Sequence, residues 1–138
     1  MAGADTISGG EGNDNITGGL GTDVLTGGNG VDTFVFANLD SGIVSATTVD
    51  SITDWTSTDV LDVAVVGTAY SEISTAVDYA TALTQAGAAF SATIKVVAVQ
   101  VGSDVYVFLE GSTANNTADD AIKLTGTTLA AIDFTNFV

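Results

Sequence analysis

The sequence predicts a mostly β protein: a short solenoid of stacked nine-residue turns that continues into a β-rich C-terminal domain with one helix. Three observations carry that prediction. A nine-residue phrase repeats through the first part of the chain, short β-prone runs follow it, and one later segment has helical spacing. Composition shifts near Phe36, where glycine thins out, and this divides the chain into a repeat region, 1–36, and a C-terminal domain, 37–138.

In the repeat region Asp5, Asp14, Asp23 and Asp32 are nine apart, and two places beyond each stands an apolar residue: Ile7, Ile16, Leu25 and Phe34. Both series hold phase over four units, which a flexible acidic linker has no reason to do. The unit GGEGNDNIT, residues 9–17, explains its own parts. Glycine at Gly9, Gly10 and Gly12 permits positive φ and lets carbonyl oxygens line a curved loop. Asn15-Ile16-Thr17 is long enough for a short strand whose middle side chain points inward. One apolar residue per unit is a thin core, so the units must stack, and stacked aspartates repel unless a cation neutralises them.

In the C-terminal domain, Asp50 to Trp55 and Val60 to Val65 read as strands. Ser71 to Phe90 carries Ile73, Val77, Ala80, Leu83 and Ala86 at helical spacing, with Ser71 and Glu72 as a helix start. Ala92 to Val101 and Val105 to Leu109 flank Gly102-Ser103-Asp104, which predicts a hairpin. Ala121 to Leu124 is a further short strand, followed by the tail LAAIDFTNFV.

Composition narrows the chemistry. Seventeen acidic residues face only Lys95 and Lys123, a formal charge of -15, which disfavours nucleic acid and anionic membrane as partners and favours a cation. No run approaches the roughly 18 apolar residues of a membrane span. Without His or Cys, the usual zinc ligands, general base and thiol nucleophile are missing. Lys95 sits in a strand-like run where its stem packs on apolar surface, and Asp119-Asp120 reads as a turn, so catalysis is not expected. The oxygen-rich loops suit Ca2+, which takes about six to eight oxygen ligands from carboxylates, carbonyls and water. Mg2+ parts with its waters reluctantly, and transition metals seek nitrogen or sulfur.

Residues 9–17, 18–26 and 27–35 resemble the GGxGxDxUx nonapeptide of the repeat-in-toxin (RTX) family, and residues 3–8 match the end of a fourth unit. The resemblance implies a parallel β-roll, two nonapeptides per turn, with calcium between loops eighteen residues apart. It places one ion between the loop of Asp14, with the carbonyls of Gly10 and Gly12, and the loop of Asp32, with those of Gly27 and Asn29. A second ion would join Asp5 and the Gly3 carbonyl to Asp23 and the carbonyls of Gly18 and Leu20. Past the repeats, VDTFVFANLDSG and VDSITDW are similar to the junction that ends the roll in serralysin-type proteases. That likeness implies a terminal ion on Gly28, Gly30 and Asp32 with Asp40 and Asp50, for which ordinary turn residues are the alternative. The implied cofactor is therefore two to three calcium ions.

The family's usual C-terminal address for type I secretion corresponds here to Asp133, Phe134, Phe137 and Val138, which an apolar terminal strand would explain as well. The N-terminal residues carry no secretory signal, and the sequence opens inside a repeat, so a longer polypeptide is expected upstream. The implied protein is secreted and extracellular, exported by type I secretion machinery. The alternatives are a calcium-dependent surface-layer or adhesin domain, working by self-association or contact with a cell-surface component, and the end of a secreted hydrolase.

Overall fold

A computed structural model describes residues 2–37, 45–63, 67, 69–111 and 117–138. Six short strands form a roll. β1 (Thr6–Glu11), β3 (Val24–Asn29) and β5 (Asp50–Ile52) lie parallel in one sheet. β2 (Asn15–Ile16), β4 (Thr33–Phe36) and β6 (Val60–Val63) lie parallel in a second. The inward residue two places beyond each aspartate falls in register with its counterpart in the next layer. Leu25 pairs with Ile7 below and Ile52 above, and Phe34 with Ile16 below and Leu61 above. Leu25, Phe34, Ile52 and Leu61 are fully buried, which is how one apolar residue per unit becomes a continuous core.

The roll therefore has three layers, and the third comes from beyond the glycine-rich repeats. The composition change at residue 36 falls between the second and third layers, while both sheets run across it. Of the two strands expected here, the first is β5, shorter than Asp50 to Trp55, and the described part of the second is β6; residues 64–66 lie outside the described residues, as does Asp40.

The larger sheet continues as β1-β3-β5-β10-β9-β8-β7, adding β10 (Asp120–Leu124), β9 (Asp104–Leu109), β8 (Ile94–Val101) and β7 (Ala69–Ala76). β8 and β9 form the expected hairpin, turning at Gly102 with φ of 61°. Alternation along β8 serves two cores: Val96 and Ala98 face the roll's interior, and Val97 and Val99 face the opposite side with Tyr106 and Phe108. The helix α1 (Tyr79–Ala89) covers that second face through Ala82 and Ala86, with Phe90 just beyond its end. Among the described residues no helix is long and apolar enough to cross a membrane.

The expected helix start at Ser71 is corrected: 69–76 is strand β7, parallel to β8. Apolar spacing through Ile73 mimicked a helix, but Tyr70, Ile73 and Thr75 are good strand formers and β8 offers a full set of backbone partners. The helix begins after Asp78, whose Oδ1 accepts the Thr81 N–H at 2.8 Å.

Both apolar ladders of the roll end on the C-terminal region. Ile52 pairs with Leu124 of β10, and Leu61 is bridged in parallel by Phe137.

Candidate metal centre

The aspartates form two ladders, Asp5-Asp23-Asp50 and Asp14-Asp32-Asp59. In each, the N–H of the lower aspartate donates to Oδ1 of the one above. The distances are 2.8 Å from Asp5 to Asp23, 2.9 Å from Asp14 to Asp32, 2.6 Å from Asp23 to Asp50 and 3.0 Å from Asp32 to Asp59. One carboxylate oxygen thus fixes the register between layers. The other is left for something else: Oδ2 of Asp5, Asp14 and Asp23 is buried and accepts no hydrogen bond among the described residues.

A buried anionic oxygen costs several kcal/mol unless it is paired. The two lysines are engaged elsewhere, Lys95 with buried Glu110 at 2.5 Å and Lys123 with Asp104 at 2.9 Å. Neither lysine is therefore placed to neutralise the ladders.

The glycines mark where oxygens and backbone come closest. At Gly9 a Cβ would stand 2.5 Å from Asp14 Oδ2 and 2.7 Å from Gly27 O, so a carboxylate oxygen and a carbonyl from the next layer both lie against the Gly9 backbone, an approach that only glycine allows. Gly18 and Gly27 are similarly close to Oδ2 of Asp23 and Asp32. Higher in the stack, a Cβ at Gly28 would lie 2.0 Å from Gly10 O, and one at Gly30 would lie 2.1 Å from Gly12 O. The carbonyls of Gly10 and Gly12 therefore point at the layer above them.

Leu20 O accepts the Gly3 N–H, and Asn29 O accepts the Gly12 N–H, both at 2.8 Å, leaving each carbonyl a second lone pair. Among the described residues no three acidic side chains cluster as a metal site. The donor set is mostly backbone carbonyl with one carboxylate per loop, which suits a hard, loosely coordinated cation such as Ca2+.

The RTX calcium-binding nonapeptide repeat matches residues 1–34 in four copies. Residues 1–34 are RTX repeats. In fold, the chain as a whole is similar to solved structures. The AlgE6R3 subunit of the Azotobacter vinelandii mannuronan C5-epimerase is similar with a TM-score of 0.53 at 24% identity, over 100% of this chain and 74% of that one. The AlgE6R2 subunit of the same epimerase gives a TM-score of 0.55 at 22% identity, over 96% of this chain and 90% of that one. Comparison with curated proteins gives no match.

The RTX roll brings the residues expected at the first two ion positions onto facing loops. The terminal set is arranged differently. Asp50 meets Asp23 on one ladder, whereas Gly28, Gly30 and Asp32 belong to the other, which Asp59 closes. Asp59 was missed because its loop, DWTSTD, contains no glycine. The signal was present: the nine-residue phase of 5, 14, 23 and 32 returns at 50 and 59 after one skipped unit, with Ile52 and Leu61 two places beyond.

In the tail, Phe137 is buried and Val138 exposed, and β6 holds the end of the chain by Val138 N–H to Leu61 O and Val63 N–H to Val138 O. Asp133 accepts the Thr135 hydroxyl and N–H, which hold its carboxyl below the usual carboxylate range, and Phe134 is partly exposed. Asp119 accepts the Gly111 N–H at 2.7 Å, and Asp120 is buried at the start of β10.

Proposed function

We propose that this chain is a calcium-binding RTX module that folds when calcium is met outside the cell, and whose C-terminal segment addresses a larger polypeptide to type I secretion. The observation that supports the calcium part is that Asp14 Oδ2 and Gly27 O, from two layers, lie near one another against Gly9, with that carboxylate oxygen buried and without a hydrogen bond among the described residues. One ion belongs between the loops of Asp14 and Asp32, held with the carbonyls of Gly10, Gly12, Gly27 and Asn29. A second belongs between the loops of Asp5 and Asp23, with the carbonyls of Gly3, Gly18 and Leu20.

Linkage supplies the mechanism. Each ion that binds only the folded roll adds RT ln(1 + [L]/Kd) to stability, and two ions bring four positive charges to a chain of formal charge -15. Where calcium is scarce the ladders repel and the glycine-rich lower layers stay loose enough to export. Calorimetric titration tests the ion map: two ions are expected on the chain and one on Asp14→Asn, and no binding at millimolar calcium would refute it. Deleting residues 133–138 should abolish export by a type I exporter, and undiminished export would refute the address.

A second reading, calcium-bridged assembly at a cell surface, is favoured by β7, which ends the larger sheet and has no strand on its outer side among the described residues. Calcium-dependent growth in light scattering would support it, and a monomer at high protein and calcium concentration would exclude it.

A further inference from the structure

The layers of the roll use their carboxylates differently. In the lower two, Asp5, Asp14 and Asp23 each keep a buried Oδ2 with no hydrogen bond among the described residues. On the Asp14-Asp32 ladder, the third layer leaves no carboxylate oxygen idle. Asp59 accepts Asp32 N–H at Oδ1 (3.0 Å), and Thr56 N–H (2.7 Å) and the Thr56 hydroxyl (3.0 Å) at Oδ2. Asp54 accepts Gly27 N–H at Oδ1 (2.9 Å) and Gly28 N–H at Oδ2 (2.8 Å). Asp54 stands directly above the glycine pair, where a further repeat would carry glycine.

We propose that Asp54 and Asp59 form a metal-free cap that holds the loop from Gly27 to Asp32 in its calcium-binding shape whether or not calcium is present. A carboxylate that accepts two or three N–H or O–H bonds is stabilised as an anion without a metal counter-ion. Here those bonds fix the amides of Gly27, Gly28 and Asp32, whose loop also places Gly27 O against Gly9. The cap is itself fastened from behind. Trp55 donates its indole N–H to Ala131 O at 3.0 Å, and Asn136 Nδ2 donates to Asp59 O at 2.8 Å and Ser57 O at 3.1 Å.

The Asp14-Asp32 site thus consists of an upper half built by the protein and a lower half, the Gly10 to Asp14 loop, that the ion must draw in. Pre-building one half lowers the ordering cost of binding. With both oxygens of Asp54 and of Asp59 taken by backbone and hydroxyl donors, neither carboxylate stands idle for a further ion above the Asp32 loop. The proposal rests on the reading that calcium lies between the loops of Asp14 and Asp32.

Thermal unfolding of the wild type, Asp59→Asn and Asp14→Asn in excess calcium and in EGTA, with ions counted by native mass spectrometry, tests it. The wild type should show a cooperative transition in EGTA. Asp59→Asn should lower the melting temperature by about 5 °C in both conditions with the ion count unchanged. Asp14→Asn should lose one ion and lower the melting temperature in calcium alone. An ion lost in Asp59→Asn, an effect of that variant confined to calcium, or no transition of the wild type in EGTA would overturn the cap. If Asp14→Asn keeps every ion while Asp59→Asn behaves as expected, the calcium reading fails and the cap stands. Should Asp59→Asn fail to fold, Thr56→Val removes one donor to Asp59 and is expected to lower the EGTA melting temperature by a smaller amount; no change would overturn the proposal.

Discussion

The Asp14 backbone N–H donates to Asp32 Oδ1 at 2.9 Å, while Asp14's own Oδ2 is buried and lies against Gly9. One residue type thus does two jobs in the roll. A carboxylate oxygen sets the spacing between layers, and its twin waits for a cation.

Asp32→Ala should hurt more than Asp5→Ala. Asp32 is 2% exposed and receives the Asp14 N–H, so its removal strands a donor at a cost of about 1–3 kcal/mol in addition to weakening an ion site. Asp5 lies in the first described layer, and its carboxylate accepts no N–H among the described residues. Melting temperatures in saturating calcium check this, and equal losses would contradict it.

Gly28→Ala and Gly10→Ala separate layer contact from backbone strain. Both glycines have φ near the same value, 102° and 108°, but a Cβ at Gly28 meets Gly10 O while one at Gly10 meets nothing within 4 Å. Gly10→Ala should cost about 1–2 kcal/mol of strain. Gly28→Ala should cost more and weaken the calcium response, because the layers must move apart. Chemical denaturation of the two variants with and without calcium measures the difference.

The Asp104–Lys123 pair gives a pH dependence outside the roll. Burial pushes the Asp104 carboxyl up, but the Gly126 N–H and Lys123 outweigh it and leave it below its usual 3.8. A lowered carboxylate stabilises the fold above the unfolded value and loses that contribution as pH falls through the folded one. The Asp104 hydrogen bond raises Lys123 above its usual 10.5, so its contribution is full below that value and lost as pH rises through the folded one. Asp104→Asn should therefore destabilise by about 1 kcal/mol or less at neutral pH, since the pair is partly exposed. The gap from the wild type should close in strong acid. A gap that persists below pH of about 2 would contradict the assignment.

The repeats were legible because physics demands the same residues in every layer: glycine where loops touch, aspartate where charge gathers, an apolar residue where strands face the core. Where a protein device replaces that demand, the pattern fades. Asp54 and Asp59 sit in a loop with no glycine, and only the nine-residue phase marks them as part of the roll. The hairpin was readable from Gly102 and its flanking strands, which is local information. Strand β7 was not, because its choice of strand over helix depends on β8, whose partner residues lie about 25 positions further along the chain. Nor does any local signal say that Phe137 pairs with Leu61, a contact between residues 76 positions apart in the chain.

The most direct test of the central claim is thermal unfolding with far-ultraviolet circular dichroism, in excess calcium and in excess EGTA. Calcium should raise the melting temperature and the β signal, as the lower layers order beneath the cap. Identical melts and spectra in the two conditions would contradict the account.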